Sequence, residues 1–334
     1  MTNRSKNRSK FKSINLIWAI PLLFVLVFAV LMYLIPAFET VDKTPVEGST
    51  DWMSRLPDEK LISEVVLPGT HYSATQYVQL AFFSKCQSLS IKEQLEAGFR
   101  YLDIRLGPDG DRLKLLHGFT SCTTDVWPWS GTLYLDDVLE DCYSFLKAHP
   151  TETVLFSVKY EHGDEPVSRF QELFDTYIGK DRDMWLMTSQ IPTVSEARGK
   201  ILLLRRFGDE AGLGEVSGLS QIWVNQKGFD DPSLNTVSVD NGSYMLFVQD
   251  RYEYDTEEKW NAFAEGMYKS QPGSKTIALN YLSTKGHAKF GHPYKYASSL
   301  NSRLTDLPPS SLSGWIIVDF ATAGLAEYIY SCNF

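Results

Sequence analysis

TVLFSVKY (153–160), PVSRFQELFDTYIG (166–179) and KILLLRR (200–206) follow one another in mid-chain, and their order decides the fold. The first and third are near-continuous apolar runs of strand length, the mark of strands buried on both faces. The middle segment spaces its apolar residues three and four apart, as an amphipathic helix does. Strand, helix and strand of this kind make a parallel β-α-β unit.

The alternation continues in both directions. Further strand candidates are LISEVVL from 61, RYLDIRL from 100, KLLH from 114, YMLFVQD from 244, TIALNY from 276 and GWIIVDF from 314. Helical spacing recurs in IKEQLEAGF (91–99), LDDVLEDCYSFLKAH (135–149) and EEKWNAFAEGMY (257–268). About eight such units in roughly 280 residues predict an α/β fold, a TIM-type β/α barrel, with an open doubly wound sheet as the alternative. The chain has 334 residues, 43% apolar and 22% charged, which excludes disordered, collagen-like and disulfide-scaffold classes.

The formal net charge is −9, although residues 1–13 hold Arg4, Lys6, Arg8, Lys10 and Lys12 and no acid. A body more acidic still than the total is repelled by phosphate backbones, so no nucleic-acid partner is expected. Leu16 to Phe38, LIWAIPLLFVLVFAVLMYLIPAF, is a charge-free run long enough to span a bilayer. The organisation expected is a basic cytoplasmic tail (1–13), a transmembrane signal-anchor helix (14–38), a linker (39–52) and one barrel domain (53–334). The basic flank places the N-terminus in the cytoplasm, so the chain is expected to be a single-pass membrane protein with an extracytoplasmic barrel. A cleaved signal peptide is the rival reading. Cys86, Cys122, Cys142 and Cys332 show no zinc spacing; Cys142 lies in an apolar helical period and reads as core. If one disulfide forms, Cys86 with Cys122 is the pairing favoured.

Ionisable residues fall at the strand ends. His71 follows the first strand, Arg105 lies in RYLDIRL, His117 ends KLLH, Lys159 lies in FSVKYE, Arg206 ends KILLLRR, Asp250 and Tyr252 follow YMLFVQ, and Asp319 follows GWIIV. In a parallel barrel those ends converge at one mouth, where such barrels keep their chemistry. Singly, each has a plainer reading: Arg105 pairs with Asp103, Lys159 with Glu161. Together, two imidazoles able to serve as base and acid around a guanidinium fit phosphodiester chemistry. No carboxylate cluster suits a catalytic calcium, so neither a metal nor another cofactor is expected. Phosphate-loop, dinucleotide, zinc-protease and hydrolase-elbow motifs are missing from the sequence.

LPGTHYSAT (67–75), SIKEQLEAGFRYLDIRL (90–106), LLHG, FLKAHPTETVLFSVKYE (145–161) and ARGKILLLRRF (197–207) resemble the X domain of phosphatidylinositol-specific phospholipase C in its bacterial, metal-independent form. The resemblance implies a distorted TIM barrel. It also implies an enzyme, a phosphoric diester hydrolase/lyase that cleaves phosphatidylinositol to diacylglycerol and a 1,2-cyclic inositol phosphate. His71 matches the general base, Asp319 the carboxylate that orients it, Arg105 the phosphoryl-stabilising cation and His117 the general acid. Lys159, Arg206, Asp250 and Tyr252 match substrate-binding positions around the inositol ring. The implied partners are a membrane lipid, through its inositol headgroup, and the bilayer, through Leu16 to Phe38. The chain departs from the family at Tyr72, where an Asp normally follows the first His. That departure leaves two alternatives: a glycerophosphodiester or lysolipid phosphodiesterase, or a non-catalytic inositol-lipid binding module. Phe82, Phe83, Phe119, Trp127 and Trp129 fall on expected loops, either dipping into a lipid interface or folded over their own rings.

Overall fold

A computed structural model of the chain describes residues 16–126, 130–208, 218–224, 226, 235–287 and 291–334. Its strands are β1 (Leu67–Thr70), β2 (Tyr101–Asp109), β3 (Arg112–His117), β4 (Thr120–Ser121), β5 (Val154–Tyr160), β6 (Trp185–Leu186), β7 (Ile201–Arg205), β8 (Leu219–Ser220), β9 (Val237–Asp240), β10 (Met245–Gln249), β11 (Thr276–Tyr281) and β12 (Trp315–Val318). Its α-helices are α1 (Leu16–Ala29), α2 (Ile35–Ala37), α3 (Ala81–Ser84), α4 (Ile91–Glu96), α5 (Leu135–Ala148), α6 (Val167–Lys180), α7 (Val194–Ala197), α8 (Thr256–Lys269), α9 (Pro293–Thr305) and α10 (Ala323–Tyr330).

The sheet runs β6-β7-β5-β2-β1-β12-β11-β10-β9. Every neighbour on that path is parallel until β10 meets β9, which is antiparallel. β8 pairs with β7 in parallel. The result is a mixed α/β sheet of TIM type, as the apolar strands and intervening helices predict. Among the described residues no strand ladder closes the seam between β8 and β10. There the Tyr244 hydroxyl and Asn241 amide donate to the Ser220 carbonyl at 2.7 and 3.3 Å.

The strands alternate between two apolar layers. On β2, Tyr101 joins the inner core, while Leu102, Ile104 and Leu106 pack outward with Phe145, Phe170 and Phe174 of α5 and α6. Asp103 and Arg105 share the parity of Tyr101 and so point into the barrel. β5 repeats the pattern, with Leu155 inside and Phe156 and Val158 outside, which puts Lys159 on the inner parity and Glu161 just beyond it.

Three sequence expectations are corrected here. KLLH does not form a parallel barrel strand: β3 folds back antiparallel on β2, and β4 on β3, because only Gly110 (φ +63°) and Asp111 separate β2 from β3 in a tight turn. Cys86 and Cys122 form no disulfide; all four cysteines are free, and Cys142 lies in the outer core as its helical period predicts. Most consequential, the single-pass membrane placement does not stand, because among the described residues no helix is long and apolar enough to cross a membrane. α1 covers 14 residues and gives way to a π-helical stretch, Val30–Leu34, before the three residues of α2. Fourteen residues rise only about 21 Å, against a hydrocarbon core of about 30 Å. The far end of the apolar run docks on the body instead: Tyr33 is buried with Ala81 of α3, and Lys85 and Ser88 both donate to the Glu39 carbonyl. The basic tail at 1–13 lies outside the described residues.

Candidate active site

β1 and β12 run in parallel with Thr70 opposite Val318, so the residues that follow them, His71 and Asp319, emerge side by side. The His71 amide donates to the Val318 carbonyl at 3.0 Å, and its imidazole Nδ1 lies 2.8 Å from Asp319 Oδ1. The chain turns away at once after each residue: Tyr72 (φ +42°) and Phe320 (φ +49°) both adopt left-handed backbone that non-glycine residues rarely take. The Gln87 amide fastens the two strand ends, donating to the His71 and Val318 carbonyls at 2.9 Å each.

His117 reaches the same mouth from the hairpin. Its Nδ1 lies 2.7 Å from the Ser84 carbonyl, which fixes Nδ1 as the donor and leaves Nε2 as the acceptor of the neutral ring. Burial, and then the positive charge His71 can carry, pull its pKa down to about 4. The Tyr72 ring stacks on His117 at 3.7 Å between centroids, and the Arg105 guanidinium carbon lies 3.8 Å from the same Tyr72 centroid. Two groups so close cannot share one face of the ring, so Tyr72 stands between Arg105 and His117. Its edge meets His71, with centroids 4.5 Å apart.

Arg105 is almost buried and heavily engaged. Nε and Nη2 donate to Asp103 Oδ2 at 3.1 and 2.9 Å, while Nη1 donates to the Tyr72 hydroxyl at 2.9 Å and to Glu161 Oε2 at 3.3 Å. Burial opposes ionisation of Asp103, but the Arg105 and Arg206 guanidiniums overcome it and hold the carboxyl at about 2. Glu161 is likewise held well below the carboxylate range, against its burial, by Arg105 and Lys159. Three cations (Arg105, Lys159, Arg206) thus interleave with two carboxylates on this side of the mouth.

The expected substrate-binding residues distribute as follows. Lys159 Nζ donates to Glu161 Oε2 at 2.7 Å. Arg206 donates to Asp103 at 3.3 Å and lies over the Trp223 ring at 3.8 Å, while the Trp223 indole donates to Asp250 at 3.2 Å. The Tyr281 hydroxyl accepts from Arg206 at 3.4 Å, and its ring meets the His71 ring edge-on at 6.0 Å, so the His71 and Arg206 sides share one mouth. Tyr252 stands two residues past Asp250, half-buried, its carbonyl accepting from Thr284 and Lys285. Both plainer pairings, Arg105 with Asp103 and Lys159 with Glu161, also form.

The sequence reading missed Glu161 as a ligand of Arg105, and it missed Trp223 and Tyr281 altogether. Period-two parity carries part of that signal: Tyr101, Asp103 and Arg105 share one face of β2, and Arg105 lies opposite Lys159 of β5, two residues before Glu161. Among the described residues, His71, Cys86 and Asp319 bring metal-ligating atoms within 4.8 Å of one another, as do Asp255, Glu258 and His287 at the surface. In the first group, His71 and Asp319 already satisfy each other. Of the loop aromatics, Phe82 stacks on His292 at 4.2 Å and Phe119 is exposed, while Trp127 and Trp129 lie outside the described residues.

Residues 67–207 match the family described as phosphatidylinositol-specific phospholipase C, X domain. Over 308 residues the chain is 27% identical to the 1-phosphatidylinositol phosphodiesterase of Staphylococcus aureus strain Newman, covering 85% of this chain and 91% of that one. The Listeria monocytogenes 1-phosphatidylinositol phosphodiesterase is also 27% identical, with 83% of each chain covered. Among solved structures, a pentafluoro-Phe-incorporated phosphatidylinositol-specific phospholipase C from S. aureus superposes with a TM-score of 0.69 at 25% identity, over 85% of this chain and 98% of that one. The L. monocytogenes phosphatidylinositol-specific phospholipase C, at 24% identity, shares the fold with a TM-score of 0.66 over 86% and 99% of the two chains.

Proposed function

From the match of residues 67–207 to the phosphatidylinositol-specific phospholipase C X domain and the likeness to bacterial 1-phosphatidylinositol phosphodiesterases, we propose that the chain is a phosphodiesterase that cleaves phosphatidylinositol-type lipids to diacylglycerol and a 1,2-cyclic inositol phosphate. One observation carries this reading beyond the likeness: an imidazole paired with a carboxylate at 2.8 Å opens onto the same mouth as a second imidazole and a guanidinium.

In this mechanism His71, held in one orientation by Asp319, takes the proton of the inositol 2-hydroxyl as that oxygen attacks phosphorus. The positive charge of Arg105 stabilises the phosphoryl oxygens as charge builds on them. His117 delivers a proton to the glycerol oxygen as its bond to phosphorus breaks. In the resting protein burial keeps His117 neutral, and the arriving phosphodiester anion supplies the charge that favours its protonation. Lys159, Arg206, Asp250 and Tyr252 hold the inositol hydroxyls, with Trp223 as a floor beside Arg206.

A second reading has an observation of its own. The Tyr72 ring separates Arg105 from His117, and Arg105 spends its donors on Asp103, Tyr72 and Glu161, an arrangement suited to a module that binds an inositol headgroup without turnover. Incubating EDTA-treated protein with phosphatidylinositol vesicles and following the water-soluble product by phosphorus NMR decides between them. Cyclic inositol phosphate in the presence of EDTA supports the lyase. Vesicle binding with no product supports the module, and a product made only with added divalent ion points to the glycerophosphodiester alternative.

A further inference from the structure

We propose that Glu161, acting through the Tyr72 hydroxyl, is the positioning residue that holds Arg105 and His117 in register. Tyr72 itself stands where the resemblance to the X domain leads one to expect a carboxylate. The inference rests on the reading above for its meaning in catalysis, and on contacts of its own for its substance.

The Glu161 carboxylate touches every part of the arrangement. Oε1 accepts from the Tyr72 hydroxyl at 2.6 Å and from the Gly118 amide, next in the chain to His117, at 3.2 Å. Oε2 accepts from Lys159 at 2.7 Å and from Arg105 Nη1 at 3.3 Å. An ionised carboxylate only accepts, so Tyr72 must donate to it, which turns a phenol lone pair toward Arg105 Nη1 at 2.9 Å. The direction of this relay is therefore fixed.

Tyr72 is pinned at its other end as well, its amide donating to Asp103 Oδ2 at 3.3 Å. Asp103 and Glu161 thus hold opposite ends of the same tyrosine and opposite edges of the same guanidinium. A ring fixed at both ends and stacked on His117 sets the height of that imidazole, while Gly118, in left-handed backbone (φ +56°), is tied down by the same carboxylate. A tyrosine that merely filled space would need none of these bonds.

The test uses the full chain with Glu161→Gln, Tyr72→Phe, the double variant and Glu161→Asp, reading kcat and KM separately with Tm as the folding control. Tyr72→Phe keeps the stack and leaves the Lys159 pair intact, so it isolates the relay. Supporting partners of this kind are worth about 10- to 100-fold in activity. Glu161→Gln should lower kcat by about that factor with KM little changed, Tyr72→Phe by about 10-fold, and the double variant no further than Glu161→Gln alone, with partial rescue in Glu161→Asp. An unchanged kcat, a loss confined to KM, or fully additive losses overturn the proposal.

A second measurement is independent of turnover. In nitrogen-15 NMR the Arg105 Nη1 protons should exchange slowly in the unaltered protein and faster in Tyr72→Phe, while the Nε and Nη2 protons, held by Asp103, stay protected in both. Nη1 protection unchanged by Tyr72→Phe overturns the relay. An unaltered protein that makes no cyclic inositol phosphate refutes the lyase reading instead, and the NMR comparison still decides whether Glu161 holds Arg105 through Tyr72.

Discussion

Tyr72→Asp introduces the carboxylate that the resemblance to the X domain implies after the first His, and in this chain it should damage the protein. The Tyr72 amide already lies 3.3 Å from Asp103 Oδ2, and its hydroxyl lies 2.6 Å from Glu161. A carboxylate introduced there would sit among two ionised acids that three cations already serve. At a separation of about 5 Å and an effective dielectric of about 20, each like-charge pair costs about 3 kcal/mol. Loss of the aromatic stack adds about 0.5 to 1.5 kcal/mol. The substitution also sets a further negative charge beside the Arg105 guanidinium that is proposed to meet the anionic phosphodiester. If only half of roughly 6 kcal/mol falls on the bound phosphoryl group, kcat/KM drops by more than about 100-fold. The assay is release of cyclic inositol phosphate from phosphatidylinositol vesicles, with Tm measured in parallel. Combining Tyr72→Asp with Glu161→Gln restores the charge count and should recover about 10-fold or more. A Tyr72→Asp protein as active as the unaltered one, or more active, refutes this reasoning and marks Tyr72 as a degraded family position.

Replacing His71 or His117 by Ala should each cut turnover by about 100- to 10,000-fold with Tm nearly unchanged, checked by product release and calorimetry. A proton NMR titration of the free protein should place the His117 midpoint near 4, and saturation with a soluble inositol phosphate should move it upward. Because the folded-state pKa lies below the unfolded value of about 6.5, the stability linked to this ring is intact above that pH and is lost as pH falls toward 4. Away from the mouth, Arg100 and Glu152 form a fully buried pair at 2.8 Å that also ties down the carbonyls of Ser49 and Thr50. Glu152→Ala should cost about 3 to 5 kcal/mol in urea unfolding while leaving KM unchanged.

The strands around the mouth were legible because burial on both faces demands unbroken apolar runs, and TVLFSVKY and KILLLRR became β5 and β7 nearly to the residue. Direction was not legible: KLLH reads the same in a parallel strand and in a hairpin arm, and only the turn at Gly110 decides. The run from Leu16 to Phe38 misled for a related reason, since hydropathy does not register a break at Val30–Leu34 or the docking of Tyr33 on α3. Polar residues at strand ends pointed to the mouth, and the pairings read from sequence separation, Arg105 with Asp103 and Lys159 with Glu161, form as part of a wider network. Lys159 and Glu161, two apart on one edge, do pair, but the same carboxylate also serves a tyrosine 89 positions away, which no spacing rule reveals.

The two imidazoles owe their places to different kinds of support. His71 and Asp319 are spaced by the pitch of the sheet, so drawing them apart means unzipping β1 from β12. His117 is held by the β3–β4 flap, one carbonyl at the end of the four-residue helix α3 and the Tyr72 ring stacked on it, with no ladder among the described residues to a barrel strand beyond its own hairpin. Under the proposed mechanism, slow warming should cost such a molecule its proton donor before its proton acceptor, silencing it while its barrel is still whole.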